Sequence, residues 1–282
     1  MENGSGIRRG GEPRGPVARA ATVDGPREAA RRAEAGLGQP RRIKVLDVPV
    51  DCVEPDMTAA AVSRLLDNGE HNQIVFLTLR GLLKARRDPE FMRCLRDAAL
   101  ILPVSLPIVQ GARFLGTGSP SLINTFDHTI RILSVIEKAK GSVYLLGARK
   151  PVLEVAEENL KGSFHGIRVV GRFFGFFPRT VEGDIVTAIK KSAPSMLLVG
   201  SGVPGRDKWI LRHRKELNPG ISLWAGNCFE IFAGIERQVS RPLHAAGLGV
   251  LSGIGRRPWR IGLILPYLYY LVLLLGYKIF KL

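Results

Sequence analysis

Apolar residues from Ile43 onwards alternate between two patterns along the chain. Short apolar runs such as QIVFLTL, VYLLG and SMLLVG have the length of buried strands, and the segments between them carry apolar residues at helical spacing. IKVLDVPV likewise predicts a strand, and TAAAVSRLLDN predicts a helix that begins at Thr58. Alternating strands and helices predict an α/β fold with a mainly parallel sheet flanked by helices.

The segment GLLKARRDPEFMRCLRDAALILPV has helical spacing that is interrupted at Asp88-Pro89, and it ends in an apolar run that is either a strand or a buried turn. Pro103 and Pro107 indicate that this run ends in a loop. Two clearer βαβ units follow. The first is formed by VYLLG, PVLEVAEENLKGSF and IRVVGRFF, and the second by SMLLVG, GRDKWILRHRKEL and ISLWAG.

Parallel α/β sheets bind their ligands at the carboxyl ends of the strands. The residues that follow the predicted strands are therefore the first candidates for a functional site. They are Thr78, the Leu102–Pro107 loop, Gly147, the Gly200–Arg206 loop and Ala225–Cys228.

The loop GSGVPG, residues 200–205, fits the pattern G-x-G-x-x-G between a strand and a helix, where backbone N–H groups can hold a diphosphate. A dinucleotide fold would also place an acid at the end of the next strand, but the nearest acid there is Glu230. The pattern therefore favours a nucleotide diphosphate over NAD, and a plain tight turn remains the alternative. Arg206 is placed to neutralise a diphosphate, whereas Lys208 is expected to be solvated.

The composition changes this picture mainly through its charge. There are 41 Lys and Arg against 25 Asp and Glu, a formal charge of +16, which indicates an anionic partner such as nucleic acid, a phospholipid surface or a phosphorylated substrate. Residues 1–42 are rich in Arg, Gly, Ala and Pro, and they predict a disordered basic arm without the apolar core of a secretory signal. The three cysteines (Cys52, Cys94 and Cys228) are too scattered for a disulfide framework or a metal site. We expect a cytoplasmic body with no metal and no cofactor.

Residues 237–282 differ from the rest because no acid follows Glu236. The run Ile261–Tyr277 is uncharged and interrupted by Pro266 and Gly276. It is a short transmembrane or re-entrant anchor, an interfacial helix or a buried core helix. The first two interpretations predict a membrane appendage, with lipid phosphates bound by Arg241, Arg256, Arg257 and Arg260.

The histidines have neither metal-ligand spacing nor a nearby Ser/Asp partner, and among them His128 lies near the predicted site, beside Asp127. Asp127 has two interpretations. Its carboxylate either caps the helix HTIRILSVIEKAK or takes part in catalysis.

Six segments, taken in order, resemble the WecG/TagA/CpsF family of glycosyltransferases. They are FLTLRGLLKARRDPEF, LILPVSLPIVQGARFLG, VYLLGARKPVLEVAEENL, GIRVVGRFFGFF, LLVGSGVPGRDKWI and WAGNCFEIFAGIERQVSRP. The resemblance covers residues 43–260 and implies a Rossmann-like domain, here 43–236. It also implies inverting transfer of an N-acetylhexosamine from UDP to a polyprenyl-diphosphate-linked sugar, at the cytoplasmic face of the cell membrane, in cell-envelope polysaccharide synthesis.

The chain departs from the family's pattern at three polar positions. The family's Leu-Pro-Asp-Gly loop, whose aspartate is the expected catalytic base, has Val104 at the acidic position. Its Asn in the strand-end Thr-x-Asn motif falls at Arg80, although Thr78 matches, and its Gln in the Lys-Gln-Glu stretch falls at Arg206. Neither amide role carries over to this chain.

Two interpretations follow from these departures. In one, the site is rebuilt, with Asp127 as the base and the new arginines on phosphate, within a nucleotide-sugar pocket formed by Thr78, Arg80, Gly147, Gly200, Gly202, Arg206 and Asn227. In the other, catalysis is lost, and a nucleotide-binding, lipid-binding or scaffold role at the membrane remains. Nucleic-acid binding rests on charge alone and is not favoured. The oligomeric state is left open, with a homo-oligomer as one option.

Overall fold

The computed structural model describes residues 40–54, 57–237 and 264–280. The predicted arm, apart from its last residues, and the four predicted lipid-phosphate arginines lie outside these ranges. Among the described residues, six parallel strands form one sheet in the order β4-β3-β8-β7-β5-β6, and two antiparallel strands form a hairpin. The strands are β1 (Arg41–Val45), β2 (Val48–Cys52), β3 (His71–Leu77), β4 (Leu100–Pro103), β5 (Ser142–Leu146), β6 (Arg168–Phe173), β7 (Met196–Val199) and β8 (Gly220–Trp224).

Helices connect the strands of the sheet, as the alternating pattern predicts. The helices are α1 (Met57–Asp67), α2 (Leu79–Ala85), α3 (Pro89–Asp97), α4 (Leu106–Leu115), α5 (Thr125–Lys138), α6 (Lys150–Ser163), α7 (Glu182–Ser192, after a 3-10 turn at Arg179–Val181), α8 (Asp207–His213), α9 (Cys228–Phe232) and α10 (Ile264–Phe280). The predicted α/β fold with a parallel sheet flanked by helices is therefore confirmed.

Side chains on each central strand alternate between two apolar layers. In β3, Ile74 and Phe76 join a cluster with α1, α5, α6 and α9, whereas Val75 and Leu77 face α2, α3 and α4 on the opposite side. A further cluster on that second side joins β5 and β7 to α7 and α8. Burial on both faces explains why the strands are continuous apolar runs in the sequence.

The segment IKVLDVPV forms a hairpin and not the single strand that its pattern predicts. β1 and β2 pair across Leu46 and Asp47, which both have a positive φ (51° and 67°). Two left-handed residues are typical of a tight hairpin turn, which usually contains Asn or Gly. Here the buried Leu46 side chain packs into the core and stabilises the turn. Arg41 and Arg42 belong to β1 and not to the basic arm.

The connection after β4 is shorter than the predicted loop over Leu102–Pro107. Only Val104 and Ser105 separate β4 from α4, which has Pro107 in its first turn. Proline fits there because the first N–H groups of a helix have no intrahelical partner.

The C-terminal helix α10 packs against α2 and α4 along one side, where Tyr270 and Leu274 are buried. Its opposite side is exposed and aliphatic, with Leu268 and Val272 among its residues. A helix of the buried core would be covered on both sides. Within the described ranges, no helix has the length and apolar character needed to cross a membrane.

The buried carboxylate of Asp51 holds the hairpin against the sheet, and we expect its loss to destabilise the fold. It accepts hydrogen bonds from the Arg42 guanidinium (2.7 and 2.9 Å) and from the Ile101 N–H (2.7 Å). Asp51→Ala leaves these donors unpaired and should lower the free energy of unfolding by about 3 kcal/mol in urea titrations. The control Asp97→Ala removes an exposed ion pair with Arg93 and should lower the free energy of unfolding by less than about 1 kcal/mol. Equal losses in the two variants would contradict this role for Asp51.

Candidate functional site

The carboxyl ends of the parallel strands bring most of the predicted site residues to one edge of the sheet. In the order of the strands from β4 to β5, this edge carries Val104, Thr78, Asn227, Gly200 and Gly147. The order follows from strand pairing and not from sequence, since β8 lies between β3 and β7. Residues that are far apart in the chain therefore line one edge.

Three loops at this edge, those that follow β5, β6 and β7, are joined by backbone hydrogen bonds. The bonds join the Ala148 N–H to the Ser201 carbonyl (2.7 Å), the Gly175 N–H to the Ala148 carbonyl (2.7 Å) and the Phe176 N–H to the Gly202 carbonyl (2.7 Å). These amides are therefore already paired within the protein. The loops form a rigid floor at this end of the sheet.

Glycines allow these loops to approach one another. Gly147 has a φ of 133°, and a Cβ added to it would lie 2.9 Å from the backbone of Gly200. A Cβ on Gly200 would lie 2.3 Å from the Phe229 ring, and one on Gly202 would lie 2.6 Å from the Phe176 ring. The glycines of the G-x-G pattern are thus needed for packing, whether or not the loop holds a phosphate.

Arg206 ends the glycine-rich loop in a positive-φ conformation (56°), and its guanidinium carbon lies 5.1 Å from the centre of the Trp224 ring. This stacking holds the exposed arginine near the carboxyl end of β8.

The prediction that Lys208 is solvated was wrong. Its side chain is only 17% exposed and pairs with Asp88 (3.0 Å) and Glu90 (2.9 Å) at the start of α3.

The loop after β4 is joined to the start of α2. The Ser105 hydroxyl accepts a hydrogen bond from the Leu79 N–H (3.1 Å), which places the exposed Arg80 beside this loop. Thr78 caps α2, since its hydroxyl accepts from the Gly81 N–H (3.0 Å). Val104 itself is half-buried and packs against the core.

Helix α5 begins next to the same loop, because the Ile123 N–H donates to the Pro103 carbonyl (3.0 Å). Of the two interpretations of Asp127, the one that makes it the N-cap of this helix was wrong. Asn124 is the cap and accepts from the Asp127 N–H (3.1 Å), so Asp127 lies in the first turn. His128 is buried, with Nε2 at 3.3 Å from the Thr58 hydroxyl, and burial lowers its pKa to about 4. His128 is therefore neutral at physiological pH and contacts α1.

A carboxylate that the sequence interpretation left outside the site, Glu230, lies at the glycine-rich loop. One of its oxygens accepts from the Ser201 hydroxyl, and the other is buried with no hydrogen-bond partner among the described residues. Nearby, the exposed Asn227 donates to Glu236. Glu230 lies in α9, six residues after the end of β8, and the rule that ligands bind at strand ends does not by itself predict a site residue there.

Asp207 is fully buried beneath this edge, at the first position of α8. Its carbonyl accepts from the Gln73 side chain (3.0 Å), while its Oδ1 has no hydrogen-bond partner within the described part of the chain. Burial raises the pKa of Asp207 from 3.8 to about 7, against the opposing effect of Arg206 and Lys84. The described ranges contain no group of three His, Cys, Asp or Glu side chains that could hold a metal ion.

The fold is that of a Rossmann-like α/β protein, and its candidate site lies at the carboxyl ends of its parallel strands. The chain belongs to the glycosyl transferase WecG/TagA/CpsF family, whose profile matches residues 43–281. This match covers every described helix and strand from β2 onwards.

Two similar proteins carry the name N-acetylglucosaminyldiphosphoundecaprenol N-acetyl-beta-D-mannosaminyltransferase. The one from Bacillus spizizenii is 26% identical over 189 residues, which are 66% of this chain and 72% of that protein. The one from Bacillus subtilis (strain 168) is 25% identical over 177 residues, which are 62% of this chain and 68% of that protein.

The raised pKa of Asp207 predicts a pH-dependent stability. The native state keeps this proton up to about pH 7, whereas the unfolded state releases it near pH 4, so this group's contribution to stability falls between those values as pH rises. Asp207→Asn should therefore raise the free energy of unfolding at pH 8, by at most about 4 kcal/mol, and change it little at pH 4.

Chemical denaturation at the two pH values measures this difference. Asp67→Asn, which removes an exposed acid at the end of α1, is the control and should show no such change between pH 4 and pH 8. A loss of stability in Asp207→Asn that is equal at both pH values would contradict a protonated carboxyl.

Proposed function

We propose that this protein is a membrane-associated inverting glycosyltransferase of cell-envelope polysaccharide synthesis. It transfers an N-acetylhexosamine from a UDP donor to a sugar linked to polyprenyl diphosphate. The observation that carries this proposal is the family match over residues 43–281, which includes the whole candidate site. The names of the two relatives support an acceptor that contains N-acetylglucosamine on diphosphoundecaprenol.

The donor nucleotide binds at the carboxyl edge of the sheet in this proposal. The glycine-rich loop lies under the diphosphate, and the exposed guanidinium groups of Arg206 and Arg80 stabilise its negative charge. Thr78 and Asn227 border the same edge and offer a hydroxyl and an amide to the sugar or the ribose. Gly147 allows the loop after β5 to lie directly against Gly200 of the glycine-rich loop.

Inverting transfer needs a base for the acceptor hydroxyl, and we assign this role to Asp127. Its carboxylate accepts the hydroxyl proton while the hydroxyl oxygen attacks the anomeric carbon of the donor. The bond from that carbon to the diphosphate oxygen breaks, and UDP leaves with the electron pair. Val104 cannot accept a proton, whereas Asp127 lies in the first turn of α5, and Ile123 before that helix is bonded to Pro103, the residue before Val104.

A second function is favoured by Val104 itself, which is half-buried against apolar side chains. In this alternative the protein is a non-catalytic family member that binds nucleotide or lipid at the membrane. The arginines would then hold phosphate without turnover.

Membrane association is supported by α10 and by the charge of the tail. The exposed side of α10 is aliphatic, its last turn contains Lys278, and no acid follows Glu236 in the sequence. Such a surface can partition into the interface of an anionic bilayer, assisted by the sequence-predicted Arg256, Arg257 and Arg260. The cytoplasmic face is the side on which nucleotide sugars are made.

The transfer reaction tests catalysis by Asp127. Full-length protein in vesicles is incubated with labelled UDP-N-acetylhexosamines and a lipid-linked N-acetylglucosamine acceptor, and product formation is measured. We expect turnover that Asp127→Asn lowers at least 100-fold, because general-base catalysis contributes a factor of about 100 to 10,000. Asp184→Asn removes an exposed acid from the first turn of α7 that is not among the candidate site residues, and it should leave the rate unchanged.

Val104→Asp separates the two functions. If the natural protein forms no product while Val104→Asp does, the site binds its substrates but lacks a base, and the non-catalytic alternative holds. If Asp127→Asn keeps full activity, Asp127 is not the base.

Binding to vesicles tests the role of α10. The double variant Leu268→Glu, Val272→Glu places two charges on the exposed aliphatic side, and we expect at least tenfold weaker co-sedimentation with vesicles of phosphatidylcholine and phosphatidylglycerol. Val155→Glu alters an exposed apolar residue of α6 and is the matched control. Unchanged binding by the double variant would contradict membrane contact through α10.

A further inference from the structure

A groove of about 400 Å³ with apolar walls lies between α4 and α10. Pro107, Gly111 and Phe114 of α4 form one wall, and Leu271 and Leu275 of α10 form much of the other. Its volume lies within the range of small-molecule sites. The Phe114, Leu271 and Leu275 side chains are exposed, so the described part of the chain leaves this apolar surface uncovered.

The two walls are held together by a specific contact. The Tyr270 hydroxyl donates to the Pro107 carbonyl (2.9 Å), and Leu274 is buried beside it. A Cβ on Gly111 would lie 1.9 Å from the Tyr270 hydroxyl oxygen, so glycine at this position is required for the approach of α10 to α4. The groove is therefore formed by specific contacts between α4 and α10.

One end of the groove lies at the candidate site. Pro107 follows Ser105 by two residues, and the Ser105 hydroxyl is bonded to the N–H of Leu79, next to Arg80. From Pro107 to Phe114, the groove wall follows α4 for about 10 Å at 1.5 Å per residue. At the far end the Lys278 ammonium lies 5.6 Å from the centre of the Phe114 ring. The apolar stretch thus has a cationic side chain near each end.

We propose that this groove binds the first isoprene units of the acceptor's polyprenyl chain, an inference that rests on the acceptor class of the proposed function. The acceptor diphosphate then lies at the loop after β4, where Arg80 is shared between it and the donor diphosphate, and the chain leaves the site along α4 towards Lys278. A prenyl chain fits because it is joined directly to a diphosphate, and the groove begins at the candidate diphosphate site. The outer side of α10, with Leu268 and Val272, does not line the groove and remains available to the bilayer.

Photolabelling tests this proposal without requiring turnover. Full-length protein in lipid nanodiscs is irradiated with a diazirine-bearing farnesyl diphosphate, and the labelled peptides are identified by mass spectrometry. We expect adducts on the peptides that contain Phe114 and Leu271–Leu275, and competition by unlabelled farnesyl diphosphate but not by inorganic diphosphate at the same concentration.

Two matched pairs of substitutions locate the binding surface. Leu271→Ser with Leu275→Ser removes apolar groups from the groove and should weaken farnesyl diphosphate binding at least tenfold. Leu268→Ser with Val272→Ser removes similar groups from the outer side of the same helix, which does not line the groove, and should leave farnesyl diphosphate binding unchanged when it is measured in solution without a bilayer. An equal loss in both pairs would mean that the probe binds exposed apolar surface in general, and the proposal would be wrong.

The remaining outcomes separate this inference from the proposed function. A photoreactive phosphatidylglycerol that labels the groove as strongly as the prenyl probe would assign it to phospholipid and overturn the inference. If the prenyl probe binds in the groove but the protein transfers no sugar, the proposed catalysis is wrong, whereas the inference about the groove stands. If Leu271→Ser with Leu275→Ser leaves the rate of sugar transfer unchanged, the inference about the groove is wrong, whereas the proposed glycosyltransferase activity stands.

Discussion

The close backbone packing of three loops at the carboxyl edge of the sheet is the constraint on which the site depends. The loops after β5, β6 and β7 exchange backbone hydrogen bonds, and no side chain fits between Gly147 and Gly200. This contact fixes the separation of the strand ends and the path of the glycine-rich loop. It also determines where Arg206 leaves the loop to stack on Trp224. Phosphate binding and close packing of the loops therefore both require residues without side chains at these positions, so the G-x-G pattern alone does not identify a ligand.

Much of the architecture could be predicted because burial on both faces of a parallel sheet produces a simple pattern of apolar residues in the sequence. Strands such as β5 and β7 are continuous apolar runs, and the helices between them keep helical spacing. Once the strands are parallel, their carboxyl ends share an edge, which places Thr78, Gly147 and Asn227 together. Asp127 was predicted near the same edge, and the Ile123 contact with Pro103 brings its helix there.

The features that could not be predicted depend on tertiary contacts without a local signal. The hairpin turn uses Leu46, whose buried side chain outweighs an unfavourable backbone conformation. The cap of α5 is a different case, because Asn124 is a local capping signal that the sequence interpretation missed in favour of Asp127. Lys208 is paired with two acids of α3 that lie more than one hundred residues away in sequence. Ion pairs between residues so far apart produce no periodic pattern in the sequence.

The three altered polar positions have a joint electrostatic consequence. Relative to the family's pattern, an acid has become Val104, and two amides have become Arg80 and Arg206. The edge is therefore more cationic than that pattern implies, and its attraction for diphosphates should be strengthened whether or not a base is present. Nucleotide affinity and catalytic competence are thus separable properties of this site. In our proposal the affinity depends on the arginines and the glycine-rich loop, whereas catalytic competence depends on a carboxylate near the acceptor hydroxyl, the role that we propose for Asp127.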